Sequence, residues 1–219
     1  MSGLGKCARQ QVWGLQEAKD EEVEADTPGA PWQNLMGYAG QAIVAKIVVD
    51  MGYTITDQEK PVYLPGIPGH IDGKLSGLDL DSPVIWDNKV RNQFAYYHLA
   101  KDGIDKVTRV QQQCYMAAEK CLYSMLTFVP FDLSGTRSHL NRWKSEANPQ
   151  IMRVMLPYSE EEHETIEKRT QMIQIAVDNR ITVTREEDPE KGEFPCTWCP
   201  FMKRCLATGQ TTDFMVTPI

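Results

Sequence analysis

Gly69-His70-Ile71-Asp72-Gly73 and Ile85-Trp86-Asp87-Asn88-Lys89 each set one carboxylate in a short apolar run, and the second run adds an ammonium two residues on. Side chains of an extended strand alternate between its faces. Read as strands, the first run points Asp72 and His70 one way and Ile71 the other. The second points Asp87 and Lys89 one way and Trp86 and Asn88 the other. If the strands are neighbours, two carboxylates and one ammonium converge. Carboxylates and water are what a hard cation such as magnesium takes as ligands, and an ammonium beside it orients or activates a water. That is equipment for metal-assisted hydrolysis of a phosphodiester. The plainer alternative treats Asp72-Gly73 and Asp81-Ser82-Pro83 as turn signals and Asp87-x-Lys89 as a solvated face. The order of the runs favours the site, as does the hairpin-length gap between them, rich in Gly, Asp, Ser and Pro.

Downstream, apolar residues at 107, 110, 114, 117, 118 and 121 follow helical spacing, with Gln111 and Tyr115 one turn apart on a neighbouring stripe. Taken alone, those two polar side chains read as a helix edge packed on a sheet. The succession Asp, Asp-x-Lys and a helix with Gln-x-x-x-Tyr resembles the RecB-like branch of the PD-(D/E)xK nucleases. The resemblance implies that Asp72 and Asp87 bind magnesium or manganese, with the Val90 carbonyl as a further ligand, and that Lys89 serves the attacking water. It also implies that Gln111 and Tyr115 lie beside DNA, with stacking on a base as a role for Tyr115. His70, on the same predicted face as Asp72, is a further candidate ligand.

Six cysteines occur, and three of them form Cys196-x2-Cys199-x5-Cys205. Clustered thiols in a chain with no visible secretion signal point to metal rather than disulfides. Four thiolates close a zinc site or hold an iron–sulfur cluster. Cys114 and Cys121 fall on the apolar stripe of the helix and read as core residues, which leaves Cys7 as the fourth thiol. Spacing alone does not separate zinc from iron–sulfur. A lone cysteine near the start and C-x2-C-x5-C near the end, bracketing the nuclease motifs, resembles the iron–sulfur nucleases of the Cas-four (CRISPR-associated exonuclease) and AddB-like types. That likeness implies a 4Fe–4S cluster on Cys7, Cys196, Cys199 and Cys205.

One departure is visible. Related nucleases usually carry a Glu or His on the first core helix. The matching segment here, 34–51, shows Gln41 and Val44 at its inward positions and has neither residue type. Glu59 follows it, on an expected incoming strand. The expected metal site is therefore lean.

The elements that must position these groups follow from patterning. Residues 1–31 read as an arm with Cys7 and an acidic connector, 32–180 as the nuclease core, and 181–219 as a cysteine lobe and tail. The core order is a buried helix over 33–51 ending at Gly52, then strands near 53–64, 69–76 and 83–90. Helices over 93–100 and 105–121, strands over 123–131 and 151–158, and a helix over 159–177 capped by Ser159 follow. The fold class is thus α/β. The resemblance implies a restriction-endonuclease-like core, a mixed sheet flanked by helices, beside the cysteine-cluster lobe.

Composition sets bounds. With 219 residues the chain is long enough for one sizeable core plus an appendage. No apolar run reaches the roughly 18 residues needed to span a bilayer, so a cytoplasmic protein is expected. The formal charge of −7 is not that of a whole-surface DNA binder. Much of the acidity is local, and gripping a strand end needs only a basic channel. Lys89, Arg91, Lys101, Lys106 and Arg109 are candidates to line it, and His139, Arg142 and Lys144 fall in an expected loop. The expected function is a metal-dependent DNA exonuclease acting on single strands or strand ends in phage, CRISPR or recombination-type processing, with protein partners in a complex. Two alternatives have other chemistry: a DNA-end-binding adaptor without turnover, and a zinc-stapled protein-binding domain.

Overall fold

The computed structural model describes residues 4–20, 30–64, 67–91, 93–130, 151–186, 190, 196, 199–209 and 214–216. The chain divides by its contacts into two compact units. One spans Asp26–Tyr158, and the other joins Ser2–Ala25 to Ser159–Ile219.

The first unit opens with α2, Ala30–Asp50, the apolar helix expected from sequence (α1, Ala8–Asp20, belongs to the second unit). It ends as predicted at Gly52, whose φ of +91° is a conformation that costs glycine nothing. Hydrogen bonds from Gly52 N to the Val49 carbonyl (2.9 Å) and from Tyr53 N to the Val48 carbonyl (3.3 Å) close the helix end.

The strands that follow are more broken than patterning suggests. The first expected run is two strands, β1 (Thr54–Thr56) and β2 (Lys60–Leu64), separated by a turn. The second is also two, β3 (Ile67–Ile71) and β4 (Gly73–Ser76), and the break falls at Asp72. β2 and β3 form a two-stranded antiparallel ribbon of their own. β4 enters the main sheet, whose order is β1-β4-β5-β6-β7 with β5 at Val84–Arg91, β6 at Tyr123–Pro130 and β7 at Met152–Pro157. Gly73 permits this change of partner. A Cβ there would stand 2.8 Å from Ile55 Cγ2 and 3.2 Å from the Thr56 carbonyl oxygen.

β5 and β6 run parallel and the other pairs of that sheet antiparallel. The parallel connection is made through α3 (Gln93–Asp102) and α4 (Lys106–Glu119). Asp105 caps α4 by accepting from Thr108 N at 2.8 Å. Val44 and Val48 of α2 pack on Trp86, Leu75, Val84 and Met125. Tyr115 and Met116 of α4 pack on Ile85, Ile71 and Val62. Alternation along β5 therefore sends Trp86 to α2 and Ile85 to α4, as the sequence pattern requires. Cys114 and Cys121 are buried, as expected of core residues.

The second unit corrects one expectation. The segment read as an arm contains a helix, α1, over Ala8–Asp20. It packs on α5, Glu160–Asp178, through Ala8, Val12, Ile173, Ala176 and Val177. The acidic stretch after it masked this helix in the sequence, because a run of charges reads as a solvated connector. Ser159 caps α5 as predicted, accepting from Glu162 N at 3.3 Å. A short helix α6, Met202–Thr208, carries Cys205. The contacts assign α5 to this unit, whereas patterning grouped 159–180 with the nuclease core. No helix among the described residues is long and apolar enough to cross a membrane. The segment holding His139, Arg142 and Lys144 lies outside the described residues.

Candidate active site

Asp72 stands at the hinge between β3 and β4, and its carboxylate crosses to β5. There Asp72 Oδ2 accepts from Asn88 N at 2.7 Å. The next residues along β5 complete the convergence. Asp87 is 2% exposed, and Lys89 donates from Nζ to Asp87 Oδ1 at 3.1 Å. Lys89 Nζ is also 2.8 Å from Asp87 Oδ2, an ion-pair contact without hydrogen-bond geometry. Asp87 Oδ2 is thus buried with no hydrogen bond.

From Lys89 the contacts run into α4. Lys89 Nζ donates to Gln111 Oε1 at 3.1 Å, and Gln111 Nε2 donates to the Tyr115 hydroxyl at 2.9 Å. Gln111 and Tyr115 are one helical turn apart, so a single face presents both. The neighbouring glutamines are structural. Gln112 Oε1 accepts from Ser124 Oγ at 2.5 Å, and Gln113 Nε2 donates to the Pro157 carbonyl at 3.0 Å. All three glutamines are buried, a feature that a polar run hides in the sequence.

The electrostatics mark the spot. Burial, and then the nearby Asp87 charge, push Asp72 up to about 7. Its hydrogen bond from Asn88 and the charge of Lys89 oppose this without cancelling it. Burial and the Asp87 charge also push Tyr115 up to about 12, which keeps it a neutral phenol. Two mutually repelling carboxylates, one holding a buried oxygen without a hydrogen bond, fit a hard divalent cation.

Not every predicted member joins the group. Tyr115 is 3% exposed inside the cluster with Val62, Ile71 and Ile85, so its ring is not available to stack on a base. Its hydroxyl end alone faces the polar chain. His70 is exposed on β3, on the far side of the strand break from β4. That break removes the simple alternation that paired it with Asp72. The side chain of Val90 lies against α2 at Gly40, a position that bears on its packing and not on its carbonyl, the expected ligand. Arg91 contacts Thr108 Oγ1 at 3.5 Å and Asp105 at 3.8 Å, while Lys101, Lys106 and Arg109 are exposed.

The other predicted constellation lies wholly in the second unit. Cys7, Cys196, Cys199 and Cys205 line one cavity of about 30 Å³ together with Trp13 and Phe201. Burial pushes the Cys199 thiol up, and the charges of Cys7 and Cys205 act in the same direction. Arg9, 1% exposed, donates from Nη1 to Cys205 Sγ at 3.6 Å and to the Gly209 carbonyl at 2.7 Å. Sequence reasoning missed this arginine, because a cation inside a core has no pattern of its own. Among the described residues, no three of His, Cys, Asp or Glu converge closely enough to hold a single metal ion.

No protein-family model and no curated protein matches this chain by sequence. Solved structures do match it in three dimensions. A phage-related exonuclease from Haemophilus somnus 129PT aligns with a TM-score of 0.56 and 17% identity, over 78% of this chain and 81% of that one. The protein SSO0001 aligns at 0.51 with 13% identity, over 94% and 84%. The alkaline exonuclease LHK-Exo from Laribacter hongkongensis gives 0.47 with 15% identity, over 81% and 90%. At these identities the likeness is one of fold, and the fold is restriction-endonuclease-like: a five-stranded mixed sheet flanked by helices.

Proposed function

We propose that this protein is a metal-dependent DNA exonuclease of the RecB-like PD-(D/E)xK type, with a 4Fe–4S cluster of the kind carried by Cas-four and AddB-like nucleases. One observation carries the reading: the unbroken contact chain Asp87–Lys89–Gln111–Tyr115, with the Asp72 carboxylate delivered beside it through Asn88. The exonuclease with the same fold supports it, as does the buried Asp87 oxygen that lacks a hydrogen bond.

Asp72 and Asp87 would hold magnesium or manganese, and the Val90 carbonyl is a further candidate ligand. The cation, when bound, supplies charge neutralisation on the phosphate and a more acidic water. Lys89 positions the attacking water and offsets the negative charge that develops on the phosphoryl oxygens. Its ammonium is fixed for that task by two partners, Asp87 and Gln111. Tyr115 is a positioning residue that holds the Gln111 amide so that its oxygen faces Lys89. Cys7, Cys196, Cys199 and Cys205 would hold the cluster, which joins the start of the chain to its end.

The test is a digestion time course on end-labelled single- and double-stranded DNA with magnesium, manganese or EDTA. Progressive, metal-dependent loss of nucleotides from the ends supports the reading. Tight DNA binding without cleavage in any metal overturns it in favour of an end-binding adaptor. Protein purified without oxygen should be brown, and colourless protein containing zinc would overturn the cluster assignment.

A further inference from the structure

Two carboxylates leave a six-coordinate cation largely to water, and a third acid, Glu59, lies close enough for its charge to act on Asp72. The β1–β2 turn, Asp57–Glu59, carries two residues at positive φ, Asp57 at +52° and Glu59 at +51°. That conformation is uncommon for a residue with a long side chain. The hydrogen bond from Lys60 N to the Asp57 carbonyl (3.3 Å) closes the turn.

The consequence is register. Lys60 pairs with Ile71 at the end of the β2–β3 ribbon, so Glu59 and Asp72 are the residues that flank that last pair, and the Glu59 charge reaches the Asp72 carboxyl. A second link comes from α2. Gln41 Nε2 donates to Glu59 Oε1 at 2.7 Å. With the Asn88 amide oriented to satisfy both of its ends, Asn88 Oδ1 accepts from Gln41 N at 3.3 Å, and its amide nitrogen donates to the Thr127 carbonyl at 3.2 Å. The Asn88 main-chain N–H is the one that holds Asp72. Glu59 and Asp72 are therefore tied to one short scaffold, α2 at Gln41 and β5 at Asn88. The first core helix carries neither Glu nor His, and its Gln41 reaches for an acid from the neighbouring turn.

We infer that Glu59, held by Gln41, is the third acidic group of the metal site and acts on the cation through a metal-bound water. The outer position follows from the exposure of the turn and from the Gln41 amide that already holds Glu59 Oε1. Magnesium keeps several waters when protein binds it, so an acid that accepts from such a water has a defined place. This inference rests on the nuclease reading of Asp72 and Asp87.

The experiment measures manganese binding to the full-length, metal-stripped protein, without DNA, by electron paramagnetic resonance of free manganese. Asp72→Asn should abolish measurable binding. Glu59→Gln should weaken it about 10-fold, the lower end for loss of an outer-shell partner. Gln41→Ala should give a similar loss, and the double variant little more, since the two residues act as one unit. Glu59→Asn is the control for folding, because asparagine tolerates the positive φ better than glutamate while lacking the charge. It should match Glu59→Gln in manganese affinity with a melting temperature at or above wild type. Unchanged affinity in both Glu59 variants, with binding lost in Asp72→Asn, would overturn the role of Glu59 and leave the nuclease reading standing. Unchanged affinity in Asp72→Asn would overturn both.

Discussion

Burial and the Asp87 charge push the Asp72 carboxyl up to about 7, well above its ordinary 3.8. A carboxyl raised in the folded state binds its proton more tightly there than in the unfolded chain. Its contribution to stability is thus full below the unfolded value and is lost as pH rises from about 4 to about 7. In EDTA, Asp72→Asn should leave stability nearly unchanged at pH 4 and raise it by on the order of a few kcal/mol at pH 8. Thermal melts across that range check this, and a variant no more stable than wild type at pH 8 would contradict the assigned repulsion. Saturating manganese should reverse the order at pH 8, because only wild type gains binding energy. On activity, Asp87→Ala should abolish cleavage. Lys89→Ala should cost at least about 10²-fold in single-turnover rate while leaving manganese affinity within a few-fold of wild type. The residue types and the alternation of β5 made Asp87 and Lys89 legible in the sequence, and helical spacing did the same for Gln111 and Tyr115. The burial of Tyr115 was not legible, since it depends on a ribbon, β2–β3, that packs over α4 only in three dimensions.

The elements that deliver these groups were legible in proportion to their length. α2, β5, α4 and β6 are long periodic or apolar runs, and each falls within a few residues of its predicted place. The short pieces were not legible. An eight-residue stretch such as 69–76 reads as one strand, yet Asp72 divides it between two sheets, a change of partner decided by neighbours distant in sequence. Gly73 is the element-scale support for that division. Gly73→Ala places a methyl 2.8 Å from Ile55 Cγ2 on the facing β1 and should destabilise the protein by about 1–3 kcal/mol. It should also reduce cleavage beyond what the melting temperature explains, because the shift begins one residue from Asp72. Chemical denaturation alongside the digestion assay would separate the effects, and a Gly73→Ala variant with wild-type stability would contradict this packing.

At the scale of the molecule, the second unit is built around polar groups that patterning could not place. Arg169, 1% exposed, pairs with Glu186 and donates to the Lys6 carbonyl at 2.9 Å, while Glu186 also accepts from Ala8 N at 2.9 Å at the start of α1. Those contacts tie the first residues to the last quarter of the chain, the same stretches that supply the four thiols. Replacing any one of Cys7, Cys196, Cys199 or Cys205 by alanine should bleach the anaerobically purified protein and lower its melting temperature, since a metal site formed only in the folded state contributes to folding. Cys114→Ala and Cys121→Ala should keep the colour. Full colour in Cys7→Ala together with its loss in Cys114→Ala would contradict the assigned ligand set. The central claim, however, is the chemistry of the Asp72–Asp87–Lys89 site. It is tested most directly by digesting end-labelled DNA with wild type, Asp72→Asn and Asp87→Asn in manganese, each variant first shown to be folded. Progressive cleavage from the ends by wild type and none by either variant is the predicted result. Undiminished cleavage by both variants, or none by wild type in any divalent metal, would contradict it.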